Sequence, residues 1–179
     1  DCYADLGFKT ISTNPCGESP LCPYDSCRLL AINLYSYVKN PFTPEAEFDF
    51  ELFRRHVQLA QRLMDDIIDL EQEKIDRILE KIASDPQSDE VKATERTLWE
   101  KIRRRTGQGR RTGVGITAEG DMLAALGLRY GTQEALDFAV EVQKTLALSA
   151  YRSSVTMAQE RGAFEVFDAE REKNNPFML

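Results

Sequence analysis

An apolar stripe at helical spacing runs through the middle of this chain and limits what it can fold into. Phe53, Val57, Ala60, Met64 and Ile67 or Ile68 recur every three or four residues, so a helix is expected to about residue 70. Ile75, Ile78, Leu79 and Ile82 carry the stripe onward until Asp85-Pro86 stops it. Upstream, Thr43-Pro44-Glu45 supplies a cap, a proline suited to the first helical position and an acid in the first turn. The helix is therefore expected to start there. Another helix is expected from Asp89 to about Arg105, with Val91, Leu98, Trp99 and Ile102 on a looser apolar face. The Gly-containing segment 107–115 breaks it, and residues 118–128 read as a short helix. Thr132 then caps what reads as the longest helix. Leu136, Val140, Gln143, Ala147, Ala150, Ser154 and Met157 share one face of it, and Gly162 sits where a left-handed cap belongs. Strands are few. Ile32, Leu34, Tyr35 and Tyr37 tilt the run Arg28–Val38 towards a strand, and Val114-Gly115-Ile116 reads as a short one. The fold class expected is mainly α with a few short strands.

The front of the chain is different. Residues 1–28 are rich in Pro, Gly, Ser, Cys and Asn and show no helical period, which marks a long loop with short extended pieces. Loops of that length inside compact domains are usually functional. Its centre, Asn14-Pro15-Cys16-Gly17-Glu18, sets an amide, a thiol and a carboxylate at alternate positions. In extended backbone, side chains at i, i+2 and i+4 face the same way, so the three would converge. Pro15 stiffens the segment and Gly17 lets the backbone approach a ligand. An orienting amide, a reactive sulfur and a proton-moving carboxylate make a catalytic set. The same five residues also read as a surface turn.

All four cysteines, Cys2, Cys16, Cys22 and Cys27, fall in this loop. Without a targeting signal, and with a large helical body behind them, they point to a reducing compartment and to thiol chemistry rather than stapling. A structural zinc would make the protein a non-enzymatic helical module. The gaps of six and five residues between Cys16, Cys22 and Cys27 are not those of zinc knuckles. A fourth ligand would have to be Cys2 or the sole histidine, His56, which is better read as a packed or solvent-facing helix residue.

The net charge of −7 argues against a dedicated nucleic-acid binder, and no apolar run reaches the ~18–20 residues that span a bilayer. Six cations between Lys101 and Arg111 are read as complements to a helix C-terminus in preference to a phosphate patch. Gly113-Val-Gly115 with Gly120 lacks the spacing of a dinucleotide fingerprint. Asp65-Asp66-Ile-Ile-Asp69 is read as the solvated face of an acidic helix rather than a metal site. Opening on Asp1-Cys2-Tyr3 and closing on Pro176-Phe-Met-Leu179, the chain is expected to be a piece of something larger.

Ser12-Thr-Asn14-Pro-Cys16-Gly-Glu18-Ser-Pro-Leu21, followed by Pro23-Tyr-Asp-Ser-Cys27-Arg-Leu-Leu-Ala-Ile-Asn33-Leu, resembles the catalytic subunit of ribonucleotide reductases. The Asn-Pro-Cys-Gly-Glu form is most similar to the adenosylcobalamin-dependent (class II) branch. The resemblance continues through Gly109–Thr117 and Gly120–Gly127 and reaches Gln159–Phe164, with 70–107 the most variable part. It implies that the whole chain, 1–179, is one fragment of a ten-stranded α/β barrel. Within it, 1–28 would be the finger loop, 29–42 a strand and connector, 43–106 helices, and 107–179 a short strand and helices.

The resemblance also implies roles. Cys16 would be the thiyl-radical site that removes the substrate's 3′ hydrogen, and Glu18 the general base on the 3′ hydroxyl. Asn14 would hold the substrate near its 2′ position, with Pro15 and Gly17 completing the binding loop. Cys27 would be half of the dithiol that reduces C2′, its partner lying on a strand outside this chain. Cys2 and Cys22 match no functional position. The implied cofactor is adenosylcobalamin, held elsewhere in the full-length enzyme. The implied partners are a ribonucleotide, the rest of the reductase chain, a thioredoxin-like reductant and a second copy in a homodimer, with no nucleic acid and no membrane, in the cytoplasm. A metal-dependent (class I) large subunit is the rival within the family. Apart from its barrel, the finger, roughly the first 25 residues, is expected to lose order, because few contacts remain to offset the ordering entropy.

Overall fold

The computed structural model describes residues 3–14, 20–26 and 28–175. In chain order its elements are β1 (Ser12–Thr13), β2 (Pro20–Leu21), β3 (Leu29–Asn33), β4 (Val38–Lys39), β5 (Glu47–Phe48), α1 (Phe50–Ser84), α2 (Asp89–Gly109), β6 (Gly113–Thr117), α3 (Glu119–Ala125), α4 (Gln133–Arg161) and α5 (Ala169–Lys173). The protein is mainly helical. Among the described residues the strands form three pairs, β1 with β2, β3 with β6 and β4 with β5, and no closed barrel.

The chain divides into two compact units. One holds residues 1–28, 65–112 and 162–179; the other holds 29–64 and 113–161. The second unit has a conventional core. β3 and β6 run parallel, with Leu30 opposite Val114 and Ile32 opposite Ile116. These four meet Leu34, Phe53, Val57, Met122, Leu123, Val142 and Leu146. Tyr37, Phe48 and Phe53 add edge-on aromatic contacts, with centroids 5.1 Å apart for Tyr37 and Phe53. Ser153 Oγ donates to the Gln58 carbonyl at 2.8 Å, and Arg62 pairs with Glu160 at 2.5 Å, which ties α4 to the first half of α1.

Four sequence expectations need correction. α1 starts at Phe50, not at Pro44. Residues 47–48 are taken up by the ladder with Val38–Lys39, and Asp49 Oδ1 accepts the Leu52 N–H at 3.0 Å as the actual cap. The strand expected over Arg28–Val38 stops at Asn33, whose side chain accepts from Tyr35 N and opens a 3-10 turn, Leu34–Tyr37. α1, not α4, is the longest helix described. The buried side of α4 is Ala135, Val142, Leu146, Ser149, Ser153 and Met157. Leu136 and Val140, expected inside, are 53% and 66% exposed. Small residues let α4 lie close to α1, as expected of this helix, but they are Ser149 and Ser153 rather than Ala147 and Ser154.

His56 stands on the exposed side of α1 with Nδ1 3.1 Å from the Tyr37 hydroxyl. The Asp65, Asp66 and Asp69 carboxylates lie within 4.8 Å of one another but are not merely solvated. Arg110 reaches Asp65 at 2.7 Å and Asp69 at 2.8 Å. Burial works against the Arg110 charge, yet those two hydrogen-bonded carboxylates outweigh it and raise its pKa.

Candidate active site

In the unit formed by residues 1–28, 65–112 and 162–179, the front loop is built as a hairpin. Ser12 faces Leu21 and Thr13 faces Pro20 in an antiparallel register, and Ile11 N donates to Leu21 O at 3.0 Å. In sequence, residues 14–19 lie between these two paired strands. Asn14 directly follows β1 and is 6% exposed. Of the expected site residues, Asn14 is described; Pro15, Cys16, Gly17, Glu18 and Cys27 lie outside the described residues, as does Cys2.

The flanks of the hairpin are packed. Tyr3, Phe8 and Cys22 form a small buried cluster with Phe164 and Val166 against it. Gly109 makes room for Phe8: a Cβ there would meet the ring at 2.6 Å. The Arg105 guanidinium lies 4.3 Å from the Phe8 ring centroid and donates to the Leu6 carbonyl at 3.2 Å, with Arg111 at 5.2 Å from the same ring. Asp168 N donates to the Tyr3 hydroxyl at 3.2 Å, and Arg171 grips Asp5 with two bonds of 2.6 and 2.7 Å. Arg105, Arg110 and Arg111, three of the six cations, thus serve named partners. α2 runs on to Gly109, and no cation stands in its last turn, so the helix-dipole account does not hold.

Just after the hairpin the chain turns at Tyr24, with φ +65°, and Asp25 N donates back to Cys22 O at 3.2 Å. The Cys22 thiol is buried and donates to Asp25 Oδ2 at 3.5 Å. Burial first, and then the Asp25 charge, push the Cys22 thiol up from its ordinary value, away from the reactive thiolate. Asp25 Oδ1 accepts from Ser26 N at 2.9 Å.

Arg28 is the anchor that sequence reasoning missed. Its side chain is 4% exposed and its guanidinium is held from several directions. Nε donates to Glu71, Nη1 to the Arg111 carbonyl at 3.1 Å, and Nη2 to Thr106 Oγ1 at 2.9 Å. Asp25 lies 3.9 Å away, and Thr106 is itself 1% exposed. A buried guanidinium is tolerated when its fork is satisfied, and this one fixes the loop exit to α1 and α2. One signal was available: a charge at the head of the apolar run Leu29–Ile32 demands a partner.

Residues 7–178 match the family model of the ribonucleotide reductase barrel domain. A vitamin B12-dependent ribonucleoside-diphosphate reductase of Thermoplasma acidophilum is 33% identical over 153 residues, covering 86% of this chain and 16% of that protein. Its namesake in Mycobacterium tuberculosis H37Rv is 29% identical over 160 residues, covering 89% of this chain and 19% of that protein. A ribonucleoside-diphosphate reductase subunit alpha of Chlamydia pneumoniae is 24% identical over 145 residues, 81% of this chain and 11% of that protein. The chain therefore spans less than a fifth of the length of these relatives.

Proposed function

We infer the function from the premise that this chain belongs to the ribonucleotide reductase family, as part of its barrel domain. It serves in a reductase that converts ribonucleotides to deoxyribonucleotides, with Asn14, Cys16 and Glu18 at the reacting end of the substrate. The observation that supports this is the paired ladder of Ser12–Thr13 with Pro20–Leu21, which brackets the Asn-Pro-Cys-Gly-Glu segment in sequence, with Asn14 buried beside it. A radical on sulfur needs a dry, shielded site, and a carboxylate in such a site exchanges protons nearer neutrality. In this reading the Cys16 sulfur takes the 3′ hydrogen and Glu18 takes the 3′ hydroxyl proton. The 2′ hydroxyl departs as water with one proton from the dithiol of Cys27 and a second cysteine, whose two electrons and other proton reduce C2′ as a disulfide forms. Cys16 and Glu18 then return the 3′ hydrogen and the hydroxyl proton.

The cobalamin-dependent branch is favoured because relatives at 33% and 29% identity carry vitamin B12 in their names, against 24% for the subunit alpha. Adenosylcobalamin would supply the radical that oxidises Cys16. None of the described residues is offered as its ligand, and its contacts come from other parts of the reductase. A thioredoxin-like protein would restore the dithiol, in the cytoplasm. No helix among the described residues is long and apolar enough to cross a membrane. A non-enzymatic zinc-bound module is disfavoured because nearly the whole chain matches the reductase barrel domain.

The test uses the full-length enzyme. Cys16→Ser is expected to abolish exchange of the substrate's 3′ hydrogen, whereas Cys27→Ser blocks deoxynucleotide formation and spares exchange. Exchange that persists in Cys16→Ser refutes the assignment. The isolated 179-residue chain is expected to show no turnover, with or without cofactor.

A further inference from the structure

We propose that the outer side of α4 is a docking surface for an acidic, amphipathic helix from the remainder of the reductase polypeptide. This rests on the reading that the chain is one part of a longer reductase. Leu136, Val140, Leu148, Tyr151 and Val155 stand at helical spacing along α4 and are 53, 66, 47, 46 and 59% exposed. They form a row apart from the buried side that meets α1. A helix with apolar rows on two sides is built for two neighbours, and rows at spacings of three and four are the ridges into which a second helix packs.

Charge sets the chemistry of the partner. Lys144 stands in the row between Val140 and Leu148, and Arg152 adjoins Tyr151. Neither has an acidic partner among the described residues. With Arg54 of α1, they line a cleft of about 450 Å³ that contains one acid, Glu141. Arg54 is paired only loosely, at 3.5 Å from an exposed Glu51. In a chain of net charge −7, unpaired cations set into an apolar row select carboxylates on whatever lies over it. The polypeptide that supplies such a helix is ample, since the matched segment is 16% and 19% of the two B12-dependent relatives.

The experiment is cysteine labelling in the full-length enzyme. Val140→Cys is treated with a maleimide, and modification of the α4 peptide is followed by mass spectrometry against the same variant unfolded in urea. A covered row is expected to label at least about thirtyfold more slowly than the unfolded chain, as protection by local opening requires. A smaller ratio, the behaviour of an open site, overturns the proposal. Slow labelling that becomes fast on dilution to monomer assigns the cover to a second copy and overturns it too. Val155→Cys serves in the same way if Val140→Cys does not fold. Adding Lys144→Glu is expected to speed labelling by about tenfold relative to Lys144→Met, through like-charge repulsion. Equal rates in the two would overturn the acidic partner. Fast labelling in an enzyme that still reduces ribonucleotides sinks this surface while leaving the reductase reading intact.

Discussion

Replacing Arg28 with methionine keeps a long side chain and removes the charge. The native side chain is 4% exposed, and its loss strips Glu71, 25% exposed, of its cation. Thr106 Oγ1 and the Arg111 carbonyl lose donors at 2.9 and 3.1 Å. Breaking a buried ion pair from one side costs about 3–5 kcal/mol. Glu71 regains some water, which places this case near the low end, at about 3 kcal/mol. At roughly 1.4 kcal/mol per factor of ten, local opening becomes about a hundredfold more frequent.

Hydrogen exchange followed by mass spectrometry on the full-length enzyme reads this directly, in peptides covering 20–26 and 103–112. Thr106→Val removes one acceptor and is the graded control. It is expected to cost about 1 kcal/mol, a roughly fivefold change in exchange. If Arg28→Met accelerates exchange no more than Thr106→Val does, the guanidinium is not the anchor. Because Arg28 follows the proposed reductant Cys27 in sequence, the same variant is expected to lose deoxynucleotide formation.

Three further outcomes follow from the same geometry. Cys22 is expected to resist alkylation at neutral pH and to tolerate replacement by alanine without loss of turnover. Its folded pKa lies above its ordinary 9.0, so its stabilising contribution is present below 9.0 and lost as pH rises through the folded value. Exchange in residues 20–26 against a Cys22→Ala control reads that loss. Asp49 is held below its ordinary 3.8 by the Leu52 N–H and then by Lys39, so its contribution is present above 3.8 and lost as pH falls through the folded value. Asp49→Ala is expected to fray the start of α1 at neutral pH and to match the native protein in strong acid, measured by exchange in residues 47–55. Arg110→Gln removes the guanidinium that pairs with Asp65 and Asp69, two of three carboxylates within 4.8 Å of one another. Calcium or terbium titration is expected to show tighter binding than in the native protein.

The helices were legible because apolar periodicity is local. Phe53, Val57, Ala60 and Met64 were expected inside and are buried. Their ends and faces depended on partners that periodicity does not see. Thr43-Pro44-Glu45 carries every mark of a helix start, yet the ladder between 38–39 and 47–48 takes the backbone first and moves the start to Phe50. The α4 face was expected to carry small residues, but at Ala147 and Ser154, whereas Ser149 and Ser153, 2% and 8% exposed, are the ones buried. In the fold their small size brings two helices together, and the larger apolar residues are left on the outer row.

The proposed site residues were picked out for a different reason. Asn14, Cys16 and Glu18 advertise themselves because alternation along one short segment needs no long-range knowledge. The contacts of Arg28 do not: Glu71 lies 43 residues from it and Thr106 lies 78 away. Neither glutamate nor threonine is unusual in a helix, so only their meeting at one buried guanidinium gives them meaning. Phe8 shows the same logic, since its ring becomes a structural post only once Gly109 makes room and Arg105 closes over it. Reactive residues must be chemically distinctive, but the residues that hold them need only reach, and any side chain of suitable length and polarity can be recruited for that. A motif therefore marks where chemistry is proposed, and the rigidity that chemistry needs has to be read from contacts between distant segments.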